Sequence, residues 1–152
     1  MVAKIFGPEL MAEAEKIVKS NYPTAVQVED VGISSKGSAY SAEEFDQWKF
    51  IFTDIDGIET ITLDYSRGEF DRIDREAKSW TKTQIRELPR NMNLEQALGR
   101  LRYAGHKESI QSITLSAASP QEKGSNFIFK MGKKLVYIDA SSGEVRRVME
   151  EE

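Results

Sequence analysis

An internal repeat constrains this chain more than any other feature. Asp64-Tyr-Ser-Arg-Gly-Glu-Phe-Asp-Arg-Ile73 lies over Asp139-Ala-Ser-Ser-Gly-Glu-Val-Arg-Arg-Val148 at an offset of 75, with five of ten positions identical. Upstream, Phe50-Ile-Phe52 matches Phe127-Ile-Phe129 at 77, and Val31-Gly-Ile33 matches Ile113-Thr-Leu115 at 82. The apolar set Leu10, Ala14, Ile17 matches Leu94, Leu98, Leu101 at 84. The steady fall from 84 to 75 is what two copies of one unit give when the second has shorter loops. A chain of 152 residues has room for one ordinary domain or two small halves sharing a core.

Each copy reads as a helix followed by three strands. Gly7-Pro8-Glu9 starts the first helix, since proline fits the first helical turn and glutamate suits its positive dipole end. Leu10, Met11, Ala14, Ile17 and Val18 form one apolar stripe, and Asn21-Tyr22-Pro23 ends it. Val26 and Val28 alternate, then Val31 and Ile33 alternate in the opposite phase, so a bulge is expected around Glu29-Asp30. Gln47–Thr53 and Ile58–Tyr65 are aromatic and β-branched runs joined by a hairpin at Asp54-Ile-Asp-Gly57. In the second copy Asn93 and Gln96 stand at capping-box spacing, and Gly105 follows Arg100 and Arg102 at the helix end. Strands are expected at Ile110–Ala117, Asn126–Met131 and Lys134–Asp139. Both copies end in Ser-x-Gly-Glu, a turn into a short strand at Phe70–Ile73 or Val145–Val148. The expected class is α+β: two αβββ repeats with helices packed on one face of antiparallel sheet. The first repeat covers 1–76, a charged linker with Trp80 covers 77–92, and the second repeat covers 93–152 as part of one compact unit.

In this order of elements each half resembles a PepSY-type domain. Phe127-Ile-Phe-Lys-Met-Gly-Lys-Lys-Leu-Val-Tyr-Ile-Asp-Ala-Ser-Ser-Gly-Glu-Val145 carries the likeness best; Trp48 to Phe52 with Asp64 to Glu69 carries it more loosely. The resemblance spans roughly 8–73 and 93–148. It implies a non-catalytic role in inhibiting or chaperoning proteases, as in propeptides of thermolysin-type enzymes and bacterial envelope proteins. The tandem layout is also similar to β-lactamase-inhibitor-like proteins, by analogy of fold and without a shared motif.

Other chemistries have less footing. There is no cysteine, hence no disulfide, thiolate metal site or thiol nucleophile, and a single histidine, His106, with no nucleophile-elbow glycines beside it. Phe50-Ile-Phe-Thr-Asp54-Ile-Asp56-Gly57 resembles the first motif of haloacid-dehalogenase-type phosphatases, the alternative being a small metal-dependent phosphohydrolase using Asp54 and Asp56. No downstream acidic pair accompanies it, so a polar hairpin turn is the preferred reading. Asp54, Asp56 and Glu59 miss calcium-loop spacing. Asp64 and Asp139, with Glu69 and Glu144, read as turn-forming residues needed twice rather than as acid–base pairs. No metal or cofactor is expected.

Residues 77–107 hold seven basic side chains against two acidic, while the whole chain is at −4. This balance argues against nucleic acid and for a protein partner, with Tyr40, Trp80, Arg86, Arg90 and Arg102 as candidate contacts. Trp48, on a strand, is assigned to the core. No apolar run is long enough to cross a membrane, and an exposed sheet edge makes homo-oligomers a further option. With no export signal in the first residues, the expected location is cytoplasmic, or extracytoplasmic where a signal has been removed.

Overall fold

The computed structural model describes residues 8–54, 57–78, 92, 94–116 and 125–150. Helix α1 (Pro8–Asn21) precedes strands β1 (Val26–Ile33), β2 (Gln47–Thr53), β3 (Thr60–Ser66) and β4 (Glu69–Glu76). Helix α2 (Leu94–Tyr103) precedes β5 (Ser112–Ser116), β6 (Asn126–Met131), β7 (Lys134–Asp139) and β8 (Val145–Glu150). All eight strands form one antiparallel sheet in the order β4-β3-β2-β1-β5-β6-β7-β8. Two four-stranded meanders therefore meet back to back, the first strand of one hydrogen-bonded to the first strand of the other.

The expected α+β class of two αβββ repeats is corrected by this arrangement. Each half has four strands, and the chain is mainly β: one eight-stranded sheet with two short helices of 14 and 10 residues. The fourth strands, expected only as short pieces at Phe70–Ile73 and Val145–Val148, run along the solvated ends of the sheet, where little apolar pattern marks their length. Strand β4 has only two apolar residues, Phe70 and Ile73, both turned to the core. They stand three apart, not two, because the β3·β4 register shifts between Leu63 and Tyr65. The alternation that betrays a strand is thus broken within it.

The hairpins repeat as expected. Phe50 and Phe52 pair with Leu63 and Ile61, and Phe127 and Phe129 pair with Ile138 and Val136. The first-strand match does not. Phe50 faces Asp30 across β1·β2, whereas Phe127 faces Leu115 across β5·β6. The true counterpart of Leu115 is therefore Asp30, not Ile33. A buried carboxylate, 2% exposed, stands where the second half has leucine, and Gln27 Nε2 donates a hydrogen bond to its Oδ1. The register shift between Gln27 and Glu29, close to the expected bulge, brings the side chains of Gln27 and Asp30 to the core face.

That face carries Trp48, Phe50, Phe52, Ile61, Leu63, Ile113, Phe127, Phe129, Val136 and Ile138, in one cluster with Leu10, Ala14 and Val18 of α1 and Leu94, Ala97 and Leu101 of α2. Trp48 is core, as assigned, its indole N–H donating to the Phe45 carbonyl at 2.9 Å. It faces Gly32 across β1·β2, and a Cβ there would lie 2.6 Å from the indole ring. Only glycine leaves room for it.

Candidate functional site

Because side chains alternate along a strand, burying one face of the sheet sends the other set outward. On this outer face one cross-strand row runs Gln47, Ile33, Ser112, Lys130, Leu135 and Met149, and the next runs Asp64, Lys49, Val31, Thr114, Ile128 and Tyr137. All of these are exposed or half-exposed. Val31, Ile33, Ile128, Leu135, Tyr137 and Met149 thus give the open face apolar character, dotted with Lys49, Asp64 and Lys130. On the first half a groove of about 550 Å³ is bordered by Val31, Ile33, Lys49, Asp64, Tyr65 and Asp71. By contrast, the enclosed space beside Asp30 in the core amounts to about 20 Å³, room for one water and no ligand.

Sequence reasoning missed this surface, yet it left a signal. Leu135-Val-Tyr-Ile138 is apolar at four consecutive positions, which a strand can be only if both its faces are apolar. Val136 and Ile138 fill the core; Leu135 and Tyr137 face out.

A second exposed feature lies at the corner where the two halves meet. The β1–β2 loop bridges to the α2–β5 loop through Ala39 and Ile110, each donating its N–H to the other's carbonyl, at 2.8 and 2.7 Å. Tyr40, next to that bridge, is 63% exposed. Its backbone is fixed at both ends: the N–H donates to Glu44 Oε1 at 3.2 Å, and the carbonyl accepts from Arg102 Nη2 at 2.9 Å. Arg102 Nη1 donates further to the His106 and Glu108 carbonyls at 2.9 and 2.7 Å, and its guanidinium lies 6.0 Å from the Tyr40 ring centroid. Arg102, expected as a surface contact, is thus a clamp holding three carbonyls from both halves. Tyr103, within the basic segment at the end of α2, is 92% exposed. Trp80, Arg86 and Arg90 lie outside the described residues.

His106 sits beside this clamp. Its Nδ1 accepts from Lys134 Nζ at 2.9 Å, and the same ammonium is paired with Glu108. Partial burial and the neighbouring ammonium hold the imidazole below its ordinary range, with Glu108 opposing them.

The acidic residues of the β2–β3 hairpin are engaged separately. Asp54 Oδ1 accepts the Ile58 N–H at 2.9 Å, closing the turn, while Glu59 takes a bidentate pair with Arg75 of β4 at 2.6 Å. Asp56 lies outside the described residues, and among those described no three metal-ligating side chains converge. The repeated Asp and Glu pairs diverge too. Asp139 accepts the Ser141 and Ser142 N–H groups at 2.7 and 2.9 Å and pairs with Arg146. Burial works against its ionisation, but the Ser142 and Ser141 bonds and Arg146 outweigh it and hold the carboxyl below the usual range. Asp64 does no such work: β3 runs on to Ser66 and closes through Arg67 and Gly68, both at positive φ, a tight two-residue turn. Like sequences hold unlike turns.

No family model matches the chain, and no curated protein sequence matches it. Among solved structures it is similar to a protein of Clostridium difficile 630 described as a "putative lipoprotein", with a TM-score of 0.59 and 14% identity over 92% of this chain and 91% of that one. At that identity the likeness concerns the fold alone. Among the described residues no helix is long and apolar enough to cross a membrane.

Proposed function

We propose that the chain is a non-catalytic protein-binding module that docks a partner on the open face of its sheet, acting as a PepSY-like inhibitor or regulator of a protease. The observation that carries this reading is the pair of cross-strand rows bearing Val31, Ile33, Ile128, Leu135, Tyr137 and Met149 at a solvent-facing surface. Apolar side chains set close together on a rigid sheet favour association, because burying them releases water without first ordering the backbone beneath them. Lys49, Asp64 and Lys130 around them supply register and orientation. Tyr40 extends this surface chemistry at the corner: an aromatic whose backbone is already fixed loses little freedom when it is covered. The "putative lipoprotein" description of the structural neighbour supports an extracytoplasmic setting, where such a protease would be met.

The test is inhibition of a thermolysin-type protease acting on a peptide substrate, with the whole chain as titrant. Saturable inhibition that the double variant Ile33→Asp, Tyr137→Ala abolishes without loss of fold is the expected result. Unchanged turnover, with no complex by light scattering, contradicts the reading.

A further inference from the structure

The two ends of the sheet are chemically unlike, and the difference points to a partner. At one end β4 reads Glu-Phe-Asp-Arg-Ile-Asp-Arg-Glu, charged at six of eight positions and bulged near its middle. Both devices keep an edge strand from pairing with another chain. At the other end β8 reads Val-Arg-Arg-Val-Met-Glu. Its register shift is confined to the start, by Val145 and Arg147, leaving Arg147–Glu150 regularly paired to β7. Val145, Val148 and Met149 are 36%, 44% and 43% exposed, and among the described residues no strand pairs with the outer side of β8.

We propose that β8 is the contact through which two copies of this chain associate, edge to edge and antiparallel, making one sheet continuous across the pair. Charge selects both the partner and the direction. The strand is basic in its first half, at Arg146 and Arg147, and ends on an acidic residue, Glu150. Antiparallel pairing with itself sets the basic end of each strand beside the acidic end of the other; parallel pairing sets like against like. Residues opposed across an antiparallel ladder share a face, so the two-fold axis between identical strands passes through a residue opposite itself. With the axis at Val148, the two valines meet and Arg147 stands opposite Met149, while Arg146, the extra residue of the bulge, lies outside this register. The same self-pairing of the regular part of β4 about Asp74 sets two aspartates against each other. This contact is independent of the open face, so failure of either leaves the other standing.

The experiment is light scattering of the full chain over a wide concentration range. The expected mass rises to twice 17.2 kDa. Val148→Lys and Glu150→Lys, both at exposed positions, hold it at one copy, while Asp74→Lys on β4 leaves the rise intact. Since the chain contains no cysteine, Val148→Cys alone should give a disulfide-linked pair on mild oxidation. A single-copy mass at every concentration overturns the proposal, as does a doubled mass that neither β8 variant changes.

Discussion

Arg102 commits its guanidinium to three backbone carbonyls at the corner, and its loss should be felt as instability of the join between halves. Arg102→Leu leaves the Tyr40, His106 and Glu108 carbonyls without their charged donor. We expect a cost of about 1–3 kcal/mol in urea unfolding, since charge-assisted bonds are worth that much when partly buried. Arg102→Lys should not restore it, because one ammonium cannot reach three carbonyls as a planar fork does. His106 supplies a pH dependence of definite sign. Its pKa is depressed in the folded chain, so the unfolded chain binds the proton more readily. The stabilisation is complete above the unfolded imidazole value, about 6.5. It is lost as pH falls from there through the lower folded value, where protonated Nδ1 no longer accepts from Lys134. Urea midpoints between pH 7.5 and pH 5 should fall in the wild-type chain and fall less in His106→Gln. An equal fall in both removes His106 as the cause.

At the scale of elements, glycines distinguish turns that look alike in sequence. Gly68 and Gly143 both hold positive φ, at 78° and 80°. A Cβ on Gly68 meets open space, whereas one on Gly143 lies 2.9 Å from Arg100 and 3.0 Å from Met92. Both alanine variants should carry a left-handed strain of about 1 kcal/mol, and Gly143→Ala an added steric cost, so its melting temperature should drop further. Gly32→Ala should cost about 1–3 kcal/mol by displacing the Trp48 indole. A shift in Trp48 fluorescence in a Trp80→Phe background reports it. The sequence already showed α1 and strands β2, β6 and β7 at their observed bounds, because proline, glycine turns and aromatic alternation speak locally. It did not show β4 and β8 at full length, since a solvated edge strand has little apolar pattern to read. Nor did it show the open face: the aromatic candidates lie in loops, while Tyr137 and Leu135 lie inside a strand whose run of four apolar residues does not say which of them face out. Asp30 misled for a related reason, because apolar matching slid past a carboxylate that sits where leucine would.

For the whole molecule, the central claim is that two helix-plus-four-strand units join through their first strands into a single sheet with one face packed and the other open. Because β1·β5 makes both halves parts of one ladder over one core, unfolding should be a single cooperative transition by circular dichroism and by fluorescence alike. Two separated transitions would mean that the halves fold independently. The junction itself is open to direct chemical test, since the natural chain contributes no thiol of its own. Val31 and Thr114 are direct cross-strand partners on the open face, whereas Val31 and Ile128 are separated by the intervening β5. In the double variant Val31→Cys, Thr114→Cys, mild oxidation should close an intramolecular disulfide in high yield, and in Val31→Cys, Ile128→Cys it should not. Failure of the first pair to close in the folded chain, or equal closure of both, would contradict the joined sheet.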